Sequence, residues 1–134
     1  MFTRPFFYKL TNRIRVSVRP AYLADHSFPM LRAYRFAYFI RIENCGKQTV
    51  QLISRHWRIY DSVGEEYEVN GAGVVGEQPT LDPGEVYEYQ SFCNLKSPSG
   101  HMEGSYDFIT PGGDAFEVGI PRFDLVADNS LPIE

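Results

Sequence analysis

The segment 34–43 alternates apolar with mostly polar residues more regularly than any other part of the chain. Every second position is aromatic or aliphatic: Tyr34, Phe36, Tyr38, Ile40 and Ile42. A period of two places successive side chains on opposite faces of a β-strand, so the pattern predicts a long strand with one face buried. The 9 Tyr, 10 Phe and 1 Trp of the chain strengthen this prediction, because aromatic residues favour strands.

Similar alternation recurs along the sequence, separated by turn-forming segments. Strands are expected at 14–18, 50–60, 66–69, 85–94, 102–108, 116–120 and 123–125, with turns at 44–47, 61–64, 97–100 and 111–114. No segment of ten residues has a helical pattern. Seven or eight short strands joined by turns predict an all-β fold, an antiparallel β-sandwich, with a small barrel as the alternative.

The strands at 34–43 and 50–60 are expected to pair as a hairpin across the turn at 44–47. In the second of them, strict alternation places Ile53, Arg55, Trp57 and Ile59 on one face. Leu52 is then expected on the opposite face.

The length of 134 residues corresponds to one domain. The two cysteines, Cys45 and Cys93, form no metal-binding or redox motif, so neither a metal nor a cofactor is expected. The N-terminal segment lacks the apolar core of a signal peptide, and no segment is long enough to span a membrane. We therefore expect a cytoplasmic protein without membrane insertion.

Charge is distributed unevenly along the chain. Residues 1–58 contain 11 Lys and Arg against 2 Asp and Glu, whereas residues 59–134 contain 2 against 15. We expect basic and acidic strands to lie side by side in a sheet and to screen one another. A basic patch of Arg13, Arg15 and Arg19 is the alternative, but no aromatic residue is expected on that face and the net charge of −4 repels phosphate. Nucleic acid is therefore an unlikely partner on this interpretation.

Four motifs follow one another in the second half of the chain: SRHW (54–57), GAGVVGEQP (71–79), PGE (83–85) and SPSGHMEGSY (97–106). Weaker matches lie at 22–23, 35–38 and 120–123. On these residues the chain resembles the ApaG family, a group of small bacterial proteins whose domain also occurs in some eukaryotic F-box proteins. The resemblance implies a domain at 12–126, with an N-terminal extension at 1–11 and a C-terminal tail at 127–134.

The resemblance implies an immunoglobulin-like or fibronectin type III-like sandwich, in agreement with the strand count. It also implies an association with cobalt resistance and magnesium efflux. A chain without a membrane span cannot conduct ions, so any such role must be accessory or regulatory.

The glycines Gly71, Gly73 and Gly76 match the spacing G-x-G-x-x-G of nucleotide-binding loops. Pro79 and Pro83 prevent the helix that this motif requires, so a dinucleotide-binding fold is excluded. A nest of backbone amides that binds a small anion or pyrophosphate remains the alternative function. Its ligand-binding residues would be Gly71, Gly73, Gly76, Glu77 and Gln78.

No arrangement of nucleophile, base and orienting residue is evident in the sequence. Cys93 with His56 or His101 is the only thiol and imidazole combination, and Cys93 is expected on a buried face. We therefore predict a non-enzymatic binding or adaptor module. Its protein partner is not identified by the sequence; His56 and Arg58 are the predicted partner-binding residues, and edge strands allow a homodimer.

Overall fold

The protein is described here by a computed structural model that covers residues 6–128. Within this range there are nine β-strands and two 3-10 turns of three residues, Ala24–His26 and Pro29–Leu31. The strands are β1 Phe7–Thr11, β2 Ile14–Tyr22, β3 Tyr34–Asn44, β4 Val50–Asp61, β5 Glu65–Ala72, β6 Thr80–Leu81, β7 Val86–Leu95, β8 Ser99–Ile109 and β9 Ala115–Val126. No helix in residues 6–128 is long and apolar enough to cross a membrane.

The strands form two antiparallel sheets that pack face to face. The first sheet has the order β1-β2-β3-β7, and the second has the order β5-β4-β8-β9, with β6 pairing at the start of β4. The predicted all-β antiparallel sandwich is confirmed, and the barrel alternative is wrong because each set of strands forms a sheet of its own. The predicted strands at 116–120 and 123–125 are one continuous strand, β9.

The core between the sheets is built around three aromatic side chains. Tyr38 of the first sheet lies 5.3 Å from Trp57 and 5.7 Å from Phe123 of the second sheet, measured between ring centroids. Trp57 and Phe123 meet edge to face, with centroids 5.9 Å apart and an interplanar angle of 88°. Tilted and edge-to-face pairs of this kind contribute about 0.5–1.5 kcal/mol each beyond the burial of their area. The three rings therefore fasten one sheet to the other.

The predicted hairpin of β3 and β4 is wrong. β3 pairs with β2 and β7, whereas β4 pairs with β5, β6 and β8, so the turn after Asn44 carries the chain from the first sheet to the second. The side chain of Asn44 stabilises this crossing, because its amide donates to the carbonyls of Gln48 and Leu81 at 2.8 and 2.9 Å.

The predicted faces of β4 are correct at Trp57 but wrong at Leu52. The register between β4 and β8 shifts between Leu52 and Ser54, which marks a β-bulge. An extra residue reverses the alternation at that point, so Leu52 and Trp57 are both buried.

Residues 7–11, which were assigned to an N-terminal extension, belong to the sandwich. They form β1, which pairs with β2 through a two-residue turn at Asn12 and Arg13, both with positive φ. Phe7 packs on Phe123 with a centroid distance of 6.4 Å. The strand therefore extends the first sheet and covers part of the core.

The SPSG motif is bonded to the C-terminal end of β4. The buried carboxylate of Asp61 accepts hydrogen bonds from the Lys96 amide and the Ser97 hydroxyl, both at 2.6 Å. The same hydroxyl oxygen lies 2.7 Å from the carbonyl oxygen of Ser99, so its single hydrogen is shared between the two acceptors. This network joins the end of β4 to the turn between β7 and β8.

Gly104 permits the close approach of β8 to β4. A Cβ atom at this position would lie 2.0 Å from the carbonyl oxygen of His56 and 3.1 Å from the Cα of Trp57. Both are backbone atoms, which cannot rotate away. Only glycine fits here without displacing a central strand.

We predict that Gly104→Ala lowers the free energy of unfolding by about 2–4 kcal/mol, because β8 must move away from β4. The measurement is urea denaturation followed by Trp57 fluorescence. Gly112→Ala is the matched control, since its Cβ would lie 3.9 Å from the nearest atom, and a change within about 0.5 kcal/mol is expected. Equal effects of the two substitutions would contradict this account of Gly104.

Candidate functional site

The glycine-rich segment forms a tight hairpin rather than an open loop. The amide of Val74 donates to the Glu77 carbonyl at 2.8 Å, and the amide of Glu77 donates back at 2.9 Å. The two residues between them, Val75 and Gly76, have φ of 47° and 80°. Positive φ at both central positions is the geometry of a type I′ turn, which Gly76 adopts without strain.

Side chains from both β4 and the glycine-rich segment hold the base of this hairpin against β4. The Arg55 guanidinium donates to the carbonyls of Ala72 and Gly73 at 3.0 and 2.9 Å. The Gln78 amide donates to the carbonyl of Ile53 at 2.9 Å. A Cβ at Gly73 would lie 2.2 Å from the Glu77 carbonyl oxygen, so glycine is required for this packing.

These contacts bear directly on the predicted anion site at Gly71, Gly73, Gly76, Glu77 and Gln78. The amides of Gly73, Val74 and Glu77 already donate to backbone carbonyls. An anion would have to displace those carbonyls before it could use the same amides. The hydrogen bonds explain the spacing of the glycines by the needs of a tight turn. Binding of a small anion at these residues stays a prediction of the sequence.

The predicted partner-binding residues His56 and Arg58 lie on the outer face of the second sheet. His56 Nε2 is 3.6 Å from the Glu68 carboxylate, and the Arg58 guanidinium is 3.6 Å from Glu103. Ser54 nearby donates to Asp107 at 2.8 Å. Both candidate side chains therefore lie among carboxylates, and Glu103 partly neutralises the charge of Arg58.

The structure does not bring the candidate thiol and imidazoles together. Cys93 is buried and lies on the inner face of β7, whereas His56 points outward from β4 and His101 stacks on Tyr60 at 4.9 Å. Among residues 6–128, no three His, Cys, Asp or Glu side chains are placed to hold one metal ion.

The outer face of the first sheet combines exposed aromatic rings with arginines, which the sequence analysis did not predict. Tyr8 is 64% exposed, Phe39 39% and Phe92 45%. We call this surface the aromatic–arginine face and define it by seven residues: Tyr8, Phe39, Phe92, Arg15, Arg19, Arg35 and Arg41. A groove of about 880 Å³ crosses it.

One feature of the sequence points to this face. Phe39 occupies an outward position in the aromatic strand, between two outward arginines. Tyr8 was assigned to an extension, and the expectation that no aromatic residue lies beside Arg15 and Arg19 was therefore wrong. Arg13 was also misplaced, because it lies in the turn between β1 and β2.

The charge asymmetry of the sequence becomes an asymmetry between the two faces. The aromatic–arginine face has four arginines against Glu43 and Glu88. The outer face of the second sheet carries mainly acids around His56 and Arg58: Glu66, Glu68, Glu103, Asp107 and Glu117. The expected screening is thus local, as in the contacts of Arg41 with Glu43 at 3.0 Å and with Glu88 at 3.7 Å.

We predict that inorganic pyrophosphate up to millimolar concentration leaves the amide resonances of residues 71–77 unchanged. The amides of Gly73, Val74 and Glu77 are engaged with carbonyls and are not available to an anion-binding nest. The measurement is a titration followed by ¹H–¹⁵N NMR. Saturable shifts confined to residues 71–77 would contradict it.

A second prediction concerns the two thiols. Burial raises the pKa of the Cys93 thiol to about 12, so at pH 8 it is almost entirely protonated as well as inaccessible. Cys45 is exposed. We expect one thiol per chain to react rapidly with a disulfide reagent at pH 8 and the second only after unfolding; two rapid equivalents would be the opposite result.

The stability linked to Cys93 follows from the same shift. The pKa of Cys93 is higher in the folded state than the usual 9.0. The contribution of its protonated thiol to the free energy of unfolding is therefore present below pH 9 and is lost as the pH rises towards 12. Burial also raises the pKa values of Tyr89 and Tyr106, whose hydroxyls share a hydrogen bond of 2.5 Å, and this acts in the same direction.

Comparison with known proteins identifies the family of the chain and supports the β-sandwich fold. The sequence model of the ApaG domain (DUF525) matches residues 24–110. The chain is similar to Protein ApaG of Rhodospirillum centenum, with 55% identity over 117 residues that cover 87% of this chain and 90% of the relative. It is also 48% identical over 122 residues to Protein ApaG of Paramagnetospirillum magneticum, covering 91% of this chain and 94% of the relative.

The fold has a solved counterpart. A crystal structure of a Bordetella pertussis protein described as ApaA superposes with a TM-score of 0.84 at 44% identity, over 92% of this chain and 97% of that one. The strands, the motifs and these relatives together establish that the chain belongs to the ApaG domain family.

Proposed function

We propose that this chain is a non-catalytic adaptor of the cytoplasm that binds a partner protein by accepting an extended segment at the free edge of β7. The observation that carries the proposal is the backbone of β7, which pairs with β3 on one side and with no strand of residues 6–128 on the other. Strand addition at such an edge supplies main-chain hydrogen bonds to a partner.

The direction of the free backbone groups follows from the ladder. The amide of Asn44 donates to the Glu85 carbonyl at 3.0 Å, so odd-numbered residues of β7 point their backbone groups at β3. The even-numbered residues Glu88, Gln90 and Phe92 then point theirs away from β3. The Asn94 carbonyl agrees with this alternation, because it accepts a hydrogen bond from the Tyr67 hydroxyl across the sandwich at 3.3 Å.

The other edge strands are less suited to strand addition. β5 carries three glutamates in eight residues, and charged side chains protect an edge from pairing. β1 has five residues and lies beside β9, where Gly119 donates to the Thr11 hydroxyl at 3.2 Å. β7 has ten residues, a single charged side chain and no proline. It is the least protected of the edges.

The association of the family with cobalt resistance and magnesium efflux fits an adaptor better than a metal sensor. We infer that any effect on ion balance passes through the bound partner, since residues 6–128 assemble no metal-ligand cluster. The His56 and Arg58 surface would then serve as a secondary contact. No observation favours the alternative of a small-anion sensor.

We predict that Gln90→Pro abolishes partner binding by removing an outward N–H from β7. The fold should persist, because proline is tolerated where the N–H of an edge strand faces solvent. The measurement is affinity capture from native lysate with the wild type and the variant, each checked by thermal melting. A protein retained at one-to-one stoichiometry by the wild type and lost with Gln90→Pro is the expected result.

Asn70→Pro is the matched control. By the same alternation, the hydrogen bond from Gly73 to Ile53 places the N–H of Asn70 away from β4, on the protected edge of β5. Retention of the partner by Gln90→Pro, or its loss with Asn70→Pro alone, would contradict the proposal.

Hydrogen exchange provides a readout that needs no variant. The amides of Glu88, Gln90 and Phe92 should become protected when the partner binds, and unchanged exchange there would also contradict the proposal. Light scattering of the purified chain, whose monomer mass is 15.4 kDa, tests a second copy as the occupant. A dimer that Gln90→Pro converts to a monomer would identify the partner as the chain itself.

A further inference from the structure

The aromatic–arginine face exposes large rings that contribute little to the core. Tyr8 is nearly two-thirds exposed, and Phe39 and Phe92 are each about two-fifths exposed. Single exposed apolar side chains are common on protein surfaces, but a group of large exposed rings on one face marks an interaction surface. Arg35 already covers one of the rings, with its guanidinium carbon 4.6 Å from the centroid of Phe92.

Rings and guanidinium groups alternate across the sheet. Along one row of paired residues, Arg19 of β2 lies opposite Phe39 of β3. Along the next row, Tyr8 pairs with Ser17 and Ser17 with Arg41, so the small Ser17 separates a ring from a cation. Arg15 follows two positions from Ser17 on the same strand and outer face. The face thus repeats a flat apolar group and a positive charge over short distances.

This alternation distinguishes among occupants. An extended peptide lying across the face would find the backbone groups of β2 and β3 already paired in the sheet, so its own N–H and C=O groups would have no partners there. An amphipathic helix requires a continuous apolar stripe, which the intervening arginines interrupt. A single-stranded nucleic acid repeats a planar base and an anionic phosphate, and it matches both components of the face.

The net charge of −4 does not oppose this occupant. The acids around His56 lie on the outer face of the other sheet. The backbones of two packed sheets are about 10 Å apart, and the outward side chains lie farther apart still. Screening in physiological salt acts over about 8 Å. Arg15 and Arg41 lie 3.6 and 3.0 Å from the Glu43 carboxylate, so a phosphate would share them with that acid. A strand on the aromatic–arginine face still experiences mainly the local excess of four arginines over Glu43 and Glu88.

We propose that the aromatic–arginine face binds single-stranded nucleic acid, with bases stacked on Tyr8 and Phe39 and phosphates held by Arg15 and Arg41. The backbone groups of β2 and β3 beneath these side chains are paired within the sheet and present no base-reading edge, so binding tolerates many sequences. Duplexes bind more weakly, because their bases are stacked on one another and cannot lie on the rings.

The test is fluorescence anisotropy with labelled 20-nucleotide dT and U oligonucleotides at 50 and 200 mM salt. We expect saturable binding in the range of about 1–100 µM at the lower salt and weaker binding at the higher salt. Tyr8→Ala and Phe39→Ala should each weaken binding about fivefold to a hundredfold, the range measured for loss of one stacked ring. Arg15→Gln should weaken it and reduce its salt dependence.

Matched controls lie elsewhere on the molecule. Tyr67→Ala removes a ring of similar exposure, 40%, from β5, and Arg122→Gln removes an exposed guanidinium from β9 of the second sheet. Neither should change oligonucleotide affinity by more than about twofold. Thermal melting of each variant confirms that the fold is retained; Tyr8, which is the most exposed ring, keeps the test informative if Phe39→Ala is unstable.

Three results would overturn the proposal. One is the absence of saturation at about 200 µM protein in 50 mM salt, which is weaker than ordinary non-specific binding. Another is equal binding by Tyr8→Ala and the wild type. The third is equal or tighter binding of poly-glutamate, which would make the face a site for an acidic protein instead.

Discussion

The contact of Tyr38 with Trp57 and Phe123 is the interaction on which the rest of the structure depends. Here three buried aromatic side chains from both sheets contact one another. Once these rings face inward, the alternation of each strand decides which neighbours face outward. The positions of Phe39 and of His56 on opposite outer faces follow from that one arrangement of the core.

The same arrangement of the core separates the surfaces proposed to bind from a segment that supports the fold. The glycine-rich hairpin is held by hydrogen bonds of Gly73, Val74 and Glu77 and by contacts of Arg55 and Gln78, so it supports β4. The free edge of β7 and the aromatic–arginine face lie next to each other on the first sheet. An adaptor that holds a protein segment on one and a nucleic-acid strand on the other would bring the two together on a rigid support.

Much of the fold could be predicted from local pattern, since alternation and turn residues report on each strand separately. The sheet membership of β3 and β4 could not, because a turn at Asn44 looks the same whether the next strand pairs with the last or crosses to the other sheet. The bulge near Ile53 was also hidden, since one inserted residue reverses the alternation without changing composition.

The candidate sites show a similar division. Spacing identified Gly71, Gly73 and Gly76 as a special segment, but only the hydrogen bonds of Val74 and Glu77 reveal that the amides are engaged. The outer face of the first sheet depends on β1, whose five residues pair with β2 through a turn at Asn12 and Arg13. Those residues carry little alternation of their own, because Phe7 is the one that reaches the core.

The most direct test of the central claim, that recognition occurs on the outside of the first sheet, is a map of amide shifts. Titration of ¹⁵N-labelled protein with the dT oligonucleotide should perturb β1, β2, β3 and the outward residues of β7, while β4, β5 and β8 stay unchanged. Perturbations centred on residues 71–79, or on the surface around His56, would contradict the account.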